Sequence, residues 1–285
     1  MTKSQRLTLS VLIIASLIVG VIGFAAFRED RHGVLTVSFL DIGQGDAIFI
    51  SAPSGRQLLI DGGPPSGAVL RRLGDAMPWW DRSIDVVIST HPDADHVGGL
   101  IDVLARLTVG TIIRSSVEGD TKTFAAFNKA EADEGAHLVT AMRGQVVDLG
   151  AGTYLEILAP DRAVPGVDTN DGSIVARLVY GETSFMLTGD APQSIENYLV
   201  ALGTSTLKSD VLKAGHHGSK TSSSALFLGF VDPAYGMYSR GCDNKYGHPN
   251  QETVDMFARF GIPTLDTCTE GTITFVSDGQ TVVRK

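Results

Sequence analysis

Cysteine is scarce in this chain, which contains only Cys242 and Cys268 among its 285 residues. Two cysteines are too few for a disulfide framework, and neither lies in a motif with metal-ligand spacing. This scarcity also argues against a closed structural zinc site built from thiolates. In an oxidising compartment the two cysteines could pair with each other, or they could be two unrelated small core residues.

Basic residues are also in deficit. The chain carries 23 Lys and Arg against 32 Asp and Glu, a formal net charge of −9. Lys3 and Arg6 precede an apolar N-terminal run, so the remainder of the chain is more acidic still. Because non-specific affinity for DNA rests largely on Lys and Arg, this balance argues against a nucleic-acid substrate. It does not exclude one, since bound divalent cations would offset part of the negative charge.

A Pro/Ser-rich linker, a low-complexity tract and a short-period repeat are all absent from the body of the sequence. Short apolar strands instead alternate with helices up to a C-terminal hairpin over 273–276 and 281–284. The pattern predicts a buried strand over 84–89 and a helix over 99–107. We therefore predict one mixed α/β domain over residues 32–285, with two sheets facing each other and helices outside.

The N-terminus contains an uncharged apolar run of 21 residues, 7–27. A helix of that length spans about 30 Å, which is one hydrocarbon thickness. We therefore assign residues 1–31 to a short cytoplasmic N-terminus, a transmembrane anchor and a juxtamembrane segment.

The charges that flank the run predict its orientation. Lys3 and Arg6 precede it without an acid, whereas residues 28–31 are balanced in charge, so we expect a single-pass cell-membrane protein with its domain outside the cytoplasm. The alternative is a cleaved signal peptide, for which Gly23-Phe24-Ala25 offers a small-x-small site, and after which the domain would be secreted. The run exceeds the usual signal core, which favours the anchor.

Four metal-ligand side chains follow the predicted strand at 84–89, in the order His91-x-Asp93-x-Asp95-His96. In a tight turn such residues can converge on one point, and imidazole and carboxylate are ligands of Zn²⁺, Mn²⁺ and iron. A pair of close metals held in this way lowers the pKa of a bridging water and binds the oxygens of a hydrolysed ester. The competing interpretation is a polar loop that caps the following helix.

Two later apolar strands end in the same kinds of residue. Residues 185–191 read FMLTGDA and place Asp190 at a strand end, and residues 210–224 read DVLKAGHHGSKTSSS and place His216 and His217 at another. Each signal is weak alone, because Gly-Asp is a common turn and a histidine pair can be packing or surface. Three strand ends that all deliver ligands predict a metal site more strongly.

Together these motifs resemble those of the metallo-β-lactamase superfamily, and more narrowly the C-terminal hydrolase domain of ComEC-type competence proteins, which act in DNA uptake. The segments FLDIGQGDAIFI, LLIDGG, THPDADHVGG, NDGSIVARL, LTGDA, LKAGHHGSKTSSS and NKYGHP match that subgroup in order. The match runs from about Leu35 to the C-terminus. Since competence channels are polytopic and this chain has one membrane segment, we expect a free-standing anchored hydrolase.

The resemblance implies a four-layer αββα sandwich with one or two divalent ions, Zn²⁺ or Mn²⁺, at one edge between the sheets. It implies a ligand set of His91, Asp93, Asp95, His96, Asp190 and one histidine of the 216–217 pair, for which His217 is preferred although the sequence does not fix the choice between His216 and His217. Within that set His91 and Asp93 would hold the first metal, Asp95 and His96 the second, and Asp190 would bridge them. The histidine that most of the superfamily supplies next has no counterpart in a matching motif, since that region contains only His137, so the first site would be completed by Asn170 or Asp171, by water, or only weakly.

The resemblance also implies roles around the metals. A metal-bound hydroxide would attack, Asp95 would serve catalysis as a ligand, and His216 or His248 would protonate the leaving oxygen. Flanking residues would hold an anionic oxygen or be ordinary surface: Lys213, Ser219 and Lys220. The polar residues of the N-terminal motifs would orient ligands or shape turns: Asp41, Gln44, Asp46 and Asp61.

The function that follows is a metal-dependent phosphodiesterase or nuclease, with a phosphodiester such as DNA as substrate and a competence-type channel protein as a candidate partner. A second hydrolytic alternative is cleavage of a non-nucleic ester or amide, such as a cell-wall phosphodiester, a lactone or a β-lactam, which the acidic charge favours. A third is a non-catalytic scaffold module, against which the nearly complete ligand set argues.

Overall fold

The computed structural model describes residues 3–29, 33–163, 166–203 and 207–285. The predicted boundary between the N-terminal segment and the domain, at residues 31 and 32, lies outside the described residues, as do Asp30 and Arg31 of the juxtamembrane segment. That division of the chain stays a prediction.

Helices and strands alternate through the domain as the sequence pattern predicts. The helices are α1 (Lys3–Glu29), α2 (Ala68–Ala76), α3 (Ala94–Leu104), α4 (Lys122–Glu134), α5 (Gln193–Ala201), α6 (Ala225–Val231), α7 (Gln251–Arg259) and α8 (Thr267–Glu270). The strands are β1 (Leu35–Phe39), β2 (Ile48–Ser51), β3 (Gln57–Ile60), β4 (Ser83–Ser89), β5 (Thr108–Arg114), β6 (His137–Thr140), β7 (Val146–Gly150), β8 (Thr153–Ala159), β9 (Val175–Tyr180), β10 (Thr183–Leu187), β11 (Val211–Lys213), β12 (Tyr235–Tyr238), β13 (Thr264–Asp266), β14 (Ile273–Ser277) and β15 (Val282–Arg284).

The strands form two sheets. The first has the order β15-β14-β1-β2-β3-β4-β5-β6 and the second the order β13-β12-β11-β10-β9-β8-β7. Strands β3 to β6 are parallel to one another, and so are β10 to β13. Parallel neighbours share the edge at which their carboxyl ends lie. Each sheet therefore gathers several strand ends at one edge.

Three apolar clusters hold the layers together. The central cluster lies between the sheets, and strand alternation supplies it: Leu35, Val37 and Phe39 of β1 all belong to it. A second cluster packs α2, α3 and α4 on the first sheet, and a third packs α5, α6 and α7 on the second. The predicted four-layer αββα sandwich is confirmed.

Helix α3 differs from the prediction because it begins at Ala94, directly after Asp93, and ends at Leu104. Gly98 and Gly99 oppose a helix by propensity, and for that reason the sequence places its start too late. They are required here because the helix crosses the chain at 62–65 closely. A Cβ atom on Gly99 would lie 1.9 Å from the carbonyl oxygen of Gly62.

Periodicity does not predict four strands, β6, β7, β12 and β13. Strands β6 and β7 are edge strands with only one fully buried residue between them, so they lack a clear apolar pattern. Strand β12 contains Gly236, whose Cβ would lie 2.5 Å from the ring of Phe257. Strand β13 has only three residues.

Cys242 and Cys268 form a disulfide. The bond joins the loop after β12 to α8, so it closes the end of the second sheet near the polar strand ends. Of the two alternatives for these cysteines, the structure supports pairing. Disulfides persist in oxidising compartments.

Helix α1 contains a 22-residue segment, Lys3–Phe24, that is long and apolar enough to cross a membrane. Its side chains over that segment are exposed rather than packed on the domain. Length and composition fit the predicted anchor. A signal sequence passes the same test, so anchor and cleaved signal both stay predictions.

We expect the disulfide to stabilise the folded domain. Replacing both cysteines, Cys242→Ser with Cys268→Ser, is expected to lower the free energy of unfolding by about 2–4 kcal/mol, because the bond restricts the unfolded chain over a separation of 26 residues. Chemical denaturation of the purified protein followed by circular dichroism measures the change. Reductant should destabilise the unaltered protein and leave the double variant unchanged; equal curves for oxidised and reduced protein would contradict the prediction.

Candidate metal centre

The candidate site lies where strands of both sheets end. His91 follows β4, and Asp95 and His96 belong to the first turn of α3. Asp190 follows β10 and His217 follows β11, its parallel neighbour. The shared edge of parallel strands therefore brings side chains together that lie more than a hundred residues apart in sequence.

Three buried histidines point their Nε2 atoms at one carboxylate oxygen. The Oδ2 atom of Asp190 lies 3.3 Å from Nε2 of His96 and 3.3 Å from Nε2 of His217. The same oxygen lies 3.9 Å from Nε2 of His91. All three nitrogen atoms are buried, and none has a hydrogen-bond partner among the described residues. Buried polar atoms without a partner are rare, so this convergence fits a bound cation.

Asp61 orients two of these rings from behind. It accepts a hydrogen bond from Nδ1 of His96 at 2.8 Å, and others from the backbone N–H and hydroxyl of Thr90 at 2.8 and 2.6 Å. Because the Thr90 hydroxyl donates to Asp61, its oxygen accepts from Nδ1 of His91 at 3.0 Å. Both histidines thus carry a hydrogen on Nδ1 and direct the Nε2 lone pair inward. Carboxylate-to-histidine hydrogen bonds of this kind are usual behind metal ligands.

His217 is oriented by the backbone. Its Nδ1 atom donates to the carbonyl oxygen of Ser239 at 2.9 Å. Asp46 Oδ1 lies 3.4 Å from the same nitrogen, and Asp46 is also paired with the fully buried Lys213. Lys213 Nζ further donates to the carbonyl oxygen of Gly189 at 2.6 Å.

Asp46, His96, Asp190 and His217 form a group whose ligand-type atoms lie within 4.8 Å of one another. Asp46 nevertheless approaches the histidines from the Nδ1 side, opposite the converging nitrogen atoms, and its charge is engaged by Lys213. We therefore place Asp46 behind the ligands rather than among them.

Two further carboxylates divide the ligands into two groups. Asp93 Oδ2 lies 3.8 Å from Nε2 of His91, and Asp95 Oδ2 lies 3.5 Å from Nε2 of His217. The oxygen that all three histidines face lies between the groups. His96 lies beside both groups, its ring centroid 4.0 Å from that of His91 and 5.2 Å from that of His217.

The first group has one further candidate donor. Asn170 lies in a single 3-10 turn, Asn170–Gly172, and its Oδ1 atom is buried without a partner. This turn leads to Ser173, whose hydroxyl accepts the backbone N–H of Asp190 at 3.2 Å. Asn170 and Asp171 are both partly buried, and neither makes a described contact with the cluster. The orphaned oxygen favours Asn170 over Asp171.

Negative charge exceeds positive charge inside the cluster. Asp46, Asp61 and Asp190 are almost fully buried, and Lys213 is the one buried lysine among the described residues. Burial acts to raise the pKa of Asp46, but Lys213 and then His217 outweigh it and lower this pKa to about 2. A divalent cation would supply the missing positive charge.

The histidine pKa values also indicate that the cluster needs additional positive charge. Burial acts to lower the pKa of His96 and of His217, but the adjacent Asp190 outweighs it and holds both pKa values well above the ordinary range. Burial likewise acts to raise the pKa of Asp190, yet His217 and His96 hold it well below its usual value. Without a metal, protons on these rings partly balance the carboxylates. The donor set therefore fits a cation chemically as well as geometrically.

Two less buried imidazoles lie at the mouth. His216 keeps 28% of its side chain exposed, and its Nε2 atom is 3.7 Å from Asp190 Oδ2. The ring of His248 lies 5.3 Å from that of His216 and is stacked on Tyr246. Burial lowers the pKa of His216, and burial followed by His216 lowers the pKa of His248 to about 4. Neutral rings favour hydrogen bonding to a substrate over the predicted role of general acid.

The structure corrects two predicted roles. Lys213 cannot hold a substrate oxygen, because it is fully buried and occupied by Asp46 and Gly189. Asp41 does not orient a ligand, because its carboxylate binds Arg72 at 2.7 Å on the outer surface. The position of a residue in a sequence motif does not reveal whether a lysine is buried or which way a side chain in a turn points.

The remaining predicted residues lie around the cluster. Gln44 accepts the backbone N–H of Gly241, Ser219 is buried and bonds Thr221, and Lys220 is exposed. The turn that carries Gln44 touches α3 closely, since the backbone N–H of Asp46 donates to the carbonyl oxygen of Asp95 at 3.3 Å. Of the three flanking residues, Lys213, Ser219 and Lys220, only Lys220 is exposed and therefore accessible to a ligand.

Sequence reasoning missed three contributors. Thr90 stands beside His91 in sequence, and its polar side chain at a strand end was the available signal. Ser239 acts through its backbone carbonyl and gives none. Glu196 of α5 accepts the backbone N–H groups of Ser223 and Ser224 at 2.6 and 2.7 Å, which fixes the loop after the histidine turn.

The sequence is similar to a known protein family and to proteins of bacterial competence. A family model described as the metallo-beta-lactamase superfamily matches residues 40–241. The chain is 29% identical over 265 residues to ComE operon protein 3 of Bacillus subtilis, covering 84% of this chain and 32% of that protein. It is 31% identical over 255 residues to competence protein ComA of Neisseria gonorrhoeae, covering 89% of this chain and 34% of that protein. The chain thus spans about a third of the curated relatives that it matches.

A solved structure shows the same fold. The metallo-beta-lactamase fold protein YhfI of Bacillus subtilis superposes with a TM-score of 0.55 at 13% identity, covering 85% of this chain and 99% of that chain. At this identity the likeness supports the two-sheet architecture alone.

The role of Asp61 is testable with a matched control. Asp61→Asn places an amide opposite three donors, so His96 should lose its fixed orientation, and affinity for a divalent metal should fall about 10- to 100-fold. Asp41→Asn should leave that affinity unchanged, because Asp41 lies outside the cluster. Titration with Zn²⁺ or Mn²⁺ by calorimetry measures both. Equal affinities in the two variants would contradict the assignment.

Proposed function

This chain belongs to the metallo-β-lactamase superfamily, and on that premise we propose that it is a metal-dependent hydrolase specialised as a phosphodiesterase. The convergence of three buried, unpartnered Nε2 atoms on Asp190 is the observation that carries this proposal. Ordinary packing leaves few such atoms. A scaffold without metal would have no reason to keep them.

The residues divide by task. Those that would hold the cation are His91, Asp93, Asp95, His96, Asp190 and His217, with Asn170 as a further donor to the first group. Bound there, a divalent metal would lower the pKa of water and stabilise the oxygens of a scissile ester. Asp61, Ser239 and Asp46 orient the rings, and Lys213 balances the charge behind them.

The substrate is approached from the mouth. His216 is the more exposed imidazole there, and His248 packs beside it with 9% of its surface exposed, so we propose that they contact the substrate oxygens. Lys220 is exposed on the same loop and would meet an anionic group. Oxygen-rich ligands and the carboxylate Asp93 suit Mn²⁺ as well as Zn²⁺, and we propose one or two ions according to whether the first group fills.

A phosphodiester substrate, DNA included, is supported by the similarity to proteins named for competence. The net charge of −9 is the observation that favours a second candidate, a hydrolase of a smaller non-nucleic ester or amide. A long DNA track needs a basic surface that this composition does not supply. We therefore propose action on a phosphodiester held at the site itself rather than along an extended groove.

We further propose that the domain works outside the cytoplasmic membrane. Lys3 and Arg6 precede the apolar segment of α1, and the Cys242–Cys268 disulfide suits an oxidising compartment. A competence-type channel protein in the same membrane is a candidate partner.

The activity is tested with purified protein stripped by chelator and reloaded with Mn²⁺ or Zn²⁺. We expect metal-dependent hydrolysis of bis-p-nitrophenyl phosphate, and nicking or degradation of plasmid or single-stranded DNA. His96→Ala should lower the rate by about 100-fold or more. His137→Ala is the matched control, because His137 is exposed at the start of β6 and away from the cluster.

Each outcome separates the candidates. Turnover of a lactone or β-lactam without any phosphodiester cleavage would replace the first candidate by the second. Absence of turnover together with absence of bound metal would support the scaffold. An equal loss of hydrolysis rate in His96→Ala and His137→Ala would contradict the assignment of catalysis to the cluster.

A further inference from the structure

The two tryptophans of the chain, Trp79 and Trp80, are adjacent on an exposed loop. The loop joins α2 to β4, the side chain of Trp79 is 80% exposed, and that of Trp80 is 46% exposed. The two rings meet edge to face, with centroids 5.6 Å apart. Large aromatic side chains at such exposure mark an interaction surface more often than packing.

This surface is not part of the metal centre. The loop precedes β4, and His91 follows the other end of the same strand. Strand β4 has seven residues, which at about 3.3 Å each puts the two sites about 20 Å apart. The tryptophans therefore cannot stack on a substrate held by the metal ligands.

Two arginines lie beside the aromatic pair. A surface cavity of about 420 Å³ opens beside Trp79, and its lining includes Leu73, Met77, Arg82 and Arg106. Both arginines are exposed, and among the described residues neither has an acidic partner within 4 Å.

Asp81 lines the same cavity and offsets one of the two positive charges. Asp81 accepts hydrogen bonds from Gln57 and from Ser83. The surface that remains combines aromatic rings with unpaired guanidinium groups.

The chain enters the domain beside this surface. Val34, one residue before β1, lines the same groove as Ala76, the last residue of α2. Trp79 follows Ala76 by three residues. An extended chain covers at most about 3.6 Å per residue, so the end of α1 at Glu29 and the start of β1 at Leu35 lie within about 20 Å of each other.

We propose that Trp79, Trp80, Arg82 and Arg106 form a membrane-contact surface that rests on anionic lipid headgroups of the bilayer that α1 is predicted to cross. Tryptophan favours the membrane–water interface, and arginine is attracted to anionic lipid there. The short connection to α1 keeps this surface within reach of the bilayer. The metal centre, at the other end of β4, then opens away from the membrane. This inference rests on the proposed retention of α1 as a membrane anchor and is independent of the proposed reaction.

The two tryptophans make the surface directly observable, because intrinsic tryptophan fluorescence reports on no other site. The full chain is reconstituted in nanodiscs of phosphatidylglycerol and phosphatidylcholine, with or without a lipid brominated near the headgroup. We expect the brominated lipid to reduce emission about twofold. Lipid brominated near the chain ends should quench less. Emission unchanged by either lipid, with full accessibility to acrylamide, would overturn the proposal and point to a protein partner or open solvent.

The arginines are tested in the same assay. Arg82→Gln with Arg106→Gln should reduce the lipid quenching about twofold, and Arg259→Gln should leave it unchanged, because Arg259 lies on α7 across the sandwich. All variants keep both tryptophans and change only exposed residues. A circular dichroism spectrum identical to that of the unaltered protein verifies that each variant is folded. Equal quenching in the double variant and the control would overturn the assignment of the arginines.

Discussion

The buried carboxylate of Asp190 is the constraint on which the site depends. A carboxylate without water must be surrounded by positive charge or hydrogen donors. One oxygen faces Lys213, and the other faces the Nε2 atoms of His91, His96 and His217. Because the Nδ1 hydrogens of these rings are directed outward, the inner nitrogen atoms are free to bind a cation. The whole cluster is thus arranged around a charge that a divalent metal would balance.

The fold serves this arrangement by bringing strand ends together. Parallel strands β3 and β4 deliver Asp61 and His91 to one edge, and β10 and β11 deliver Asp190 and His217 to the facing edge. Close backbone contacts then fix the helix that carries Asp95 and His96. One of them is between Gly99 and Gly62, where a side chain has no room. Stability and ligand geometry therefore rest on the same contacts.

Much of this was predictable from sequence, and the reasons for the remainder are physical. Strand alternation and the crowding of ligands at 91–96 predict the two sheets and the edge that carries the site. The beginning of α3 is not predictable, because tertiary contact overrides the low helix propensity of Gly98 and Gly99. The role of Lys213 depends on burial, and that of Ser239 on a backbone carbonyl, so neither leaves a motif. Asp41 and Asp61 both follow apolar strands and precede a glycine-containing turn, yet only Asp61 turns toward the cluster.

Zinc K-edge X-ray absorption of the zinc-loaded chain tests the central claim most directly, because it reports the atoms around the metal. We expect nitrogen and oxygen neighbours, together with the outer-shell scattering of imidazole rings. This imidazole scattering should be weaker in His217→Ala and unchanged in His137→Ala. Sulfur neighbours, a spectrum without imidazole scattering, or an identical spectrum for His217→Ala would contradict it.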